Sequence, residues 1–259
     1  MEKFKIFTFG DGYAANHIWP EWPALLSAIY DNCEVVNMSG IGAGSEFLTT
    51  AVVDQYIKDK HGIFLIQWPH PNRFDKVIEN NTWEDAINSD TVYGANYVHQ
   101  SSRTWWLSSD SNLQEVKHYH NFYIQQEQAK LRLFNNMFLV KQLLKDSNYY
   151  FFLTQDCPLT EKQKDILVDD RWVWDTPWKG MMEFSFKEIY KEIRMNEVQP
   201  SPMIHLEWII NFLLPKIPYY YSKNRLDRLT TIIKETNWIP FYWDRDLIWN
   251  NILKELNGL

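Results

Sequence analysis

The first 68 residues alternate between short apolar runs and segments whose apolar residues recur at helical spacing. The apolar runs cover 4–9, 34–38 and 62–68, and the last is almost continuously apolar, as expected of a strand covered on both faces. Helical spacing covers 20–30 and 46–58. This strand–helix–strand–helix–strand order predicts an α/β fold, with a parallel sheet, right-handed crossovers and helices on both faces.

The chain beyond the third strand departs from this rhythm. Residues 69–117 are polar and rich in Asn, Ser and Trp, and we interpret them as an insertion with short elements of its own. Further on, the pattern predicts a long helix over 119–145, a fourth strand over 149–154 and an amphipathic helix over 203–214. Pro215 is expected to end that last helix.

Residues 218–259 are predicted to form a C-terminal arm outside an α/β domain of residues 1–217. Aromatic residues make up 16% of the chain, and many of the 13 Trp fall in the insertion and in this arm. Because protein interfaces favour aromatic side chains, we expect the arm to contact other protein subunits. The predicted interface residues are Tyr219, Tyr220, Trp238, Trp243 and Trp249.

Charge and composition exclude several classes of partner. The net charge of -7 disfavours nucleic acid, whose phosphate backbone attracts basic proteins. No apolar run is long enough to span a bilayer, and the amino terminus lacks the pattern of a signal peptide. We therefore expect synthesis in the cytoplasm and no membrane partner. The glycines of 40–44 fall short of the dinucleotide fingerprint, so we expect no cofactor. His118 and His120 have no nearby Cys or second carboxylate cluster, so we expect no metal.

Four segments lie where loops should follow strands at the carboxyl edge of such a sheet, the usual place for ligands. They read Phe9-Gly10-Asp11-Gly12-Tyr13, Asn37-Met38-Ser39-Gly40-Ile41-Gly42, Leu65-Ile66-Gln67-Trp68-Pro69-His70-Pro71-Asn72-Arg73 and Gln199-Pro200-Ser201-Pro202 followed by His205. In order and spacing, over about residues 4–215, they resemble the sequence blocks of the SGNH (GDSL-like) hydrolases. The third resembles a variant of phage-encoded members. The resemblance implies a three-layer α/β/α, flavodoxin-like fold.

The residues that match the catalytic positions of that family are not catalytic types. The nucleophilic serine falls on Gly12 and the catalytic histidine on Gln199, whose acidic partner falls on Asn196, or on Glu197 if the register slips by one. Glycine cannot attack a carbonyl, and glutamine cannot accept a proton at neutral pH. The resemblance therefore implies a degenerate catalytic site. Its vestigial residues are Gly10, Asp11, Gly12, Gly42, Asn196 and Gln199.

Other side chains near these loops offer a relocated catalytic site. Ser39 and Ser45 lie in the second loop, and His70 and His205 are the available bases. The pairing we consider is Ser39 or Ser45 with His70. The structural alternative for Ser45 is the N-cap of the following helix. For His205 it is packing or a hydrogen bond to the loop, and for Asp11 it is turn formation.

Two main functions follow from these observations. The first is a degenerate SGNH-like domain that acts in binding and assembly as a phage virion structural component, associated with a capsid, tail or fibre. The second is an active esterase or carbohydrate O-deacetylase with a relocated nucleophile. A glycan-binding module is a third interpretation, because Trp residues are typical sugar-stacking surfaces. The predicted ligand-binding residues are Trp68, Asn72, Arg73, Trp105 and Trp106.

Overall fold

A computed structural model describes residues 3–15, 20–78, 95–100, 103–108, 126–155, 157, 159–173, 181, 200–236, 238 and 241–258. In chain order its elements are β1 (Phe4–Phe9), α1 (Trp22–Ile29), β2 (Cys33–Asn37), α2 (Ser45–Lys58), β3 (Ile63–Trp68), β4 (Phe74–Ile78), β5 (Ala95–Gln100), β6 (Arg103–Ser108), α3 (Gln126–Leu143), β7 (Asn148–Leu153), α4 (Glu161–Leu167), α5 (Pro202–Trp208), a π-helical turn (Ile209–Leu213), α6 (Lys223–Glu235) and α7 (Phe241–Asn257).

The main sheet has four parallel strands in the order β2-β1-β3-β7. β2 lies on one side of β1, and β3 followed by β7 lies on the other, which is the strand order of flavodoxin-like folds. The predicted α/β fold class is thereby confirmed. Within the insertion, β4, β6 and β5 form a second sheet that is antiparallel.

Side chains of the main sheet alternate between two hydrophobic clusters, one on each face. On β3, Ile63 and Leu65 belong to the cluster that α1 covers. Phe64, Ile66 and Trp68 belong to the cluster that α2 and α3 cover. Burying each of these side chains contributes about 1.5–3 kcal/mol. The continuous apolar run of β3 is thus explained by a layer of helices on each face of the sheet.

The first helix illustrates how local sequence and packing agree. Pro23 lies in the first turn of α1, where a missing backbone N–H costs little. The buried face of the helix includes Leu25, Leu26 and Trp22. Trp22 also donates its indole N–H to the Gln67 side-chain oxygen over 2.7 Å, so a buried amide carbonyl gains a partner.

The helix predicted over 203–214 is present in two parts. Pro202 opens α5, and the Ser201 hydroxyl caps it by accepting from the N–H of Ile204 over 3.4 Å. The π-helical turn continues the helix to Leu213. Earlier in the chain, Trp172 forms one parallel β-bridge with Phe151 of β7.

Of the long helix predicted over 119–145, residues 126–143 are helical as α3, and residues 119–125 lie outside the described residues.

The C-terminal tail packs on the same face of the sheet as α1. Leu229 and Ile233 of α6 are buried in the hydrophobic cluster that contains α1, and Leu256 of α7 joins them. Arg225 donates from Nε to the carbonyl of Ala28 over 2.7 Å, which ties α6 to the end of α1. The domain boundary between 217 and 218 stays a prediction. A truncation there would remove the buried side chains of α6 and α7 from this cluster.

Candidate functional site

The loops that follow β1, β2, β3 and β7 come together at the carboxyl edge of the main sheet. The backbone N–H of Gly40 donates to the carbonyl of Gly10 over 3.0 Å, joining the second loop to the first. The N–H of Thr154, after β7, donates to the carbonyl of Trp68 over 2.8 Å. Open parallel sheets bind ligands at this edge, so we take it as the candidate site.

Asp11 is a fully buried carboxylic acid in the first loop. Its Oδ1 accepts from the N–H of Tyr13 and from the hydroxyl of Thr154, each over 3.2 Å. Its Oδ2 has no hydrogen-bond partner among the described residues. Burial raises the pKa of Asp11, and the charge of Arg73 opposes that rise. The hydrogen bond from Tyr13 matches the predicted turn-forming role, and the one from Thr154 ties the first loop to the loop after β7.

Asn37 organises the second loop. Its Oδ1 accepts from the Thr8 hydroxyl over 3.0 Å and from the N–H of Ser39 over 3.1 Å. Its Nδ2 donates to the carbonyl of Ala14 over 2.6 Å. Gly42 has a φ of 81°, a conformation that favours glycine. The buried Ser39 hydroxyl has no partner in the described part of the chain, so no described base is placed to activate it.

Ser45 is the first residue of α2, and the prediction that it caps this helix is wrong. The N-cap is Gly44, which has no side chain to accept a hydrogen bond. The buried Ser45 hydroxyl accepts from Asn136 Nδ2 over 2.9 Å and donates to Glu46 Oε2 over 3.4 Å. These described partners are an amide and a carboxylate, and neither can serve as the histidine of a serine hydrolase.

A carboxylate from further along the chain caps α2 instead. Asp75 Oδ2 accepts from the N–H of Phe47, in the first turn of the helix, over 3.0 Å. It occupies the space beside Gly44, where an added Cβ would lie 2.5 Å from that oxygen. Burial raises the pKa of Asp75 well above its usual range, and the neighbouring carboxylate of Glu46 raises it further. Sequence reasoning missed this residue because no local pattern marks a cap from another element.

Arg132 of α3 connects this acidic pair to the third loop. Its guanidinium lies 3.0 Å from Oε1 of Glu46. It also donates to the carbonyl of Arg73 over 3.2 Å and to that of Pro71 over 3.4 Å. The start of α2, the start of β4 and the third loop therefore share one polar network.

The third loop contains residues that were predicted to contact a ligand. Trp68 is fully buried, with its ring edge-on to Phe151 at a centroid distance of 5.5 Å. We therefore assign Trp68 to the core and not to a ligand surface, because the alternation of β3 turns it toward α2 and α3. His70 Nδ1 accepts from the N–H of Asn72 over 3.2 Å, which holds the turn. Asn72 and Arg73 are partly exposed.

His205 of α5 is fully buried beside Tyr13, at a ring-centroid distance of 6.5 Å. Burial lowers the pKa of His205 to about 3. Neither ring nitrogen has a hydrogen-bond partner among the residues that the structure describes. An imidazole of this kind is neutral at pH 7 and accepts a proton poorly, so the predicted packing role fits it better than the role of a base.

Some predicted site residues lie outside the described part of the chain. These are Asn196, Gln199 and the side chains of Trp105, Trp106 and Trp243. Gly12 is described, and it is buried directly after Asp11. The correspondence of Gly12 with the serine position of the SGNH hydrolases therefore remains an interpretation of the sequence.

The predicted interface residues of the tail differ in exposure. Tyr220 is 86% exposed and Tyr219 is 37% exposed. Trp238 and Trp249 are partly buried and pack against the cluster around α1. Among the predicted interface residues whose side chains the structure describes, the two tyrosines are the more exposed, and the interface itself stays a prediction.

Over the described ranges, no group of three or more His, Cys, Asp or Glu residues is placed to hold a metal ion. Among the helices of those ranges, none combines the length and the hydropathy needed to cross a membrane.

Comparisons with known proteins find structural similarity without sequence similarity. No protein-family model matches the chain, and no curated protein sequence matches it. A solved structure of a lipolytic G-D-S-L family member from Veillonella parvula has 7% identity and a TM-score of 0.43, covering 83% of this chain and 100% of that one. The lipase Lip_vut3 from a goat rumen metagenome has 10% identity and a TM-score of 0.41, covering 80% and 96%. The lipolytic activity in these names belongs to those two proteins.

Proposed function

We propose that this chain is a catalytically degenerate SGNH-like domain that works in binding and assembly, with other protein subunits as partners. The observation that carries the proposal is Gly12, which stands where the resemblance puts the nucleophilic serine. A glycine offers no oxygen for acyl transfer, and loss of one member of a catalytic triad already removes several orders of magnitude of rate. The most specific version is a structural component of a phage virion.

The surroundings of the remaining serines and histidines support this proposal. Ser45 is buried and bonded to Asn136 and Glu46. The Ser39 hydroxyl has no described partner. His205 is neutral at pH 7 because burial lowers its pKa to about 3. A serine nucleophile needs a base within hydrogen-bond reach, and neither described serine has a histidine there.

The surface of α3 supports a role in binding. Its inner face buries Leu133, while Leu131, Phe138 and Leu139 are 50%, 38% and 57% exposed. Phe134 and Phe138 stack at a ring-centroid distance of 6.4 Å. Large apolar side chains exposed on one helix, among polar ones, are typical of a surface that contacts another protein.

Ester hydrolysis tests the proposal directly. We expect the purified protein to hydrolyse p-nitrophenyl acetate no faster than an equal concentration of heat-unfolded protein. Saturable turnover that disappears in Ser39→Ala or Ser45→Ala would instead establish the alternative, an esterase or carbohydrate O-deacetylase with a relocated nucleophile. His70→Gln is the third variant of that series, since His70 is the base that the alternative requires.

Rebuilding the family site tests the resemblance on which the proposal depends. Gly12→Ser combined with Gln199→His, and with Asn196→Asp in a further variant, is expected to create measurable ester hydrolysis. Gly12→Ala with Gln199→His is the matched control, because it adds a side chain but no nucleophile. Equal activity in the serine and alanine variants would count against the assigned positions.

The virion version has a separate test. We expect the protein to co-sediment with assembled particles and to form cross-links to a capsid, tail or fibre protein. A stable monomer that is absent from every particle would overturn the virion assignment, while leaving the catalytic proposal to the hydrolysis assay.

A further inference from the structure

A long trough runs along the amino-terminal edge of the main sheet, at the end opposite the candidate site. It consists of two adjoining cavities of about 880 and 600 Å³, which share Asp146, Ser147 and Asn148 at the turn between α3 and β7. One cavity extends to the segment before β1 and the other to Lys216, at the end of the π-helical turn. Neither the sequence motifs nor the proposed function accounts for it.

The trough is positively charged in an acidic protein. Six Lys or Arg residues and three Asp residues line it, which gives a local balance of +3 in a chain of net charge -7. Like charges gathered in a concave surface raise the local potential and attract groups of opposite sign. The trough therefore favours an anionic occupant.

Three of the cations already have protein partners. Lys5 pairs with Asp59 over 2.6 Å, and Lys216 Nζ donates to the carbonyl of Asp170 over 2.9 Å. Arg171 lies 4.5 Å above the ring of Tyr149. These three side chains are therefore held by the protein itself, and the other cations of the trough are the ones available to a ligand.

The remaining cations are Lys3, Lys60 and Lys145. All three are exposed, and none has a carboxylate partner within ion-pair distance among the described residues. Lys60 and Lys145 follow the ends of α2 and α3, where cations are favoured by the helix dipole. That effect does not account for Lys3, which precedes a strand, or for the position of all three around one trough.

One exposed aromatic side chain lines the same cavity as Lys3 and Lys60. Tyr219 lines the trough and stacks on Phe4, with ring centroids 4.0 Å apart and an interplanar angle of 22°. The adjacent Tyr220 is 86% exposed. A ring that is already held by stacking loses little freedom when a partner packs against it, which is the property of aromatic anchors at interfaces.

We propose that this trough binds an acidic polypeptide segment of a partner subunit; this names the partner chemistry of the proposed assembly function and rests on it. Carboxylates of the segment meet Lys3, Lys60 and Lys145, while its apolar atoms pack on Tyr219. The three Asp residues in the trough disfavour a densely charged phosphate polymer. A peptide, in contrast, carries backbone N–H groups, which can donate hydrogen bonds to these carboxylates.

Fluorescence anisotropy with a fluorescein-labelled Glu-rich peptide tests the proposal on the full-length protein. The test variant is Lys3→Glu/Lys60→Glu/Lys145→Glu. The matched control is Lys162→Glu/Lys234→Glu/Lys254→Glu, at three exposed lysines that do not line the trough. Each triple change removes three positive charges and adds three negative ones, so the net charge of both variants falls from -7 to -13. We expect the test variant to bind at least about tenfold more weakly than the control.

A second variant and a competitor make the result decisive. Tyr219→Ser is expected to weaken binding several-fold without changing the circular dichroism spectrum, because Tyr219 lines the trough and is 37% exposed. Equal weakening in the two lysine variants, no binding of the peptide at low salt, or displacement of the peptide by inorganic polyphosphate at lower concentrations than by unlabelled peptide would each overturn the proposal. If the protein binds the peptide and also hydrolyses esters, only the catalytic part of the proposed function is contradicted, and the peptide-binding proposal stands.

Discussion

At the scale of single residues, His205 determines a pH dependence. The imidazole is fully buried, and burial lowers its pKa from 6.5 to about 3. The unfolded chain therefore binds one more proton than the folded chain between these values, so the free energy of unfolding falls as the pH falls from 6.5 toward 3. The loss is about 1.4 kcal/mol for each pH unit in that window.

The variant His205→Leu is expected to remove this acid-induced loss and to be neutral or stabilising at pH 7. The reason is that no described group bonds either ring nitrogen, so the leucine gives up no known hydrogen bond. Urea unfolding at pH 7 and pH 4.5 measures the change. His61→Leu is the control, since His61 is exposed. An unchanged pH dependence in the His205 variant would contradict a neutral, buried imidazole.

At the scale of elements, Asp75 attaches β4 to the start of α2. Its raised pKa means that the folded chain prefers the protonated carboxyl group. The stabilisation from this group is complete below its unfolded pKa and is lost as the pH rises through the folded value. Asp75→Asn keeps an acceptor for the N–H of Phe47 without a charge. We expect its free energy of unfolding to match or exceed that of the wild type at pH 8.

Asp75→Ala provides the opposite control for this contact. It removes the acceptor for Phe47, and loss of a helix cap costs about 0.5–2 kcal/mol. Gly44→Ala is also expected to destabilise the wild type, because its Cβ would meet the Asp75 carboxyl group, and to do less harm when combined with Asp75→Ala. Additive effects measured by chemical unfolding would show that the two sites do not touch.

The elements of the first 68 residues could be predicted from the sequence because their signals are local. The apolar run of β1 and the helical spacing of α2 match the observed bounds to within one residue. The meeting of the loops at one edge also follows from a parallel sheet. The cap from Asp75 could not be predicted, because it depends on a contact between segments that are far apart in sequence. The burial of Trp68 follows from the continuous apolar run of β3, and its assignment as a ligand-binding residue did not take that run into account.

At the scale of the whole molecule, the tail tests where the domain ends. A chain that ends at Ile217 lacks α6 and α7, including the buried Leu229, Ile233 and Leu256. Each such side chain contributes about 1.5–3 kcal/mol of burial, a large part of a typical total of about 5–15 kcal/mol. We therefore expect the truncated chain to lose its cooperative thermal transition, as followed by circular dichroism.

Leu247→Ser is the control for that truncation, because this residue of α7 is 60% exposed and its loss should leave the Tm unchanged. A truncated chain that unfolds at the temperature of the full chain would instead establish 218–259 as an arm independent of the α/β domain.

The bond between Arg225 and the carbonyl of Ala28 joins positions 197 apart in the chain. During synthesis, the ribosome releases α1 long before α6 and α7 exist, so the apolar face of α1 waits without its final cover. Chains whose contacts are this distant fold slowly and expose hydrophobic surface while they do so. The cluster around α1 can therefore close only after both α6 and α7 have left the ribosome.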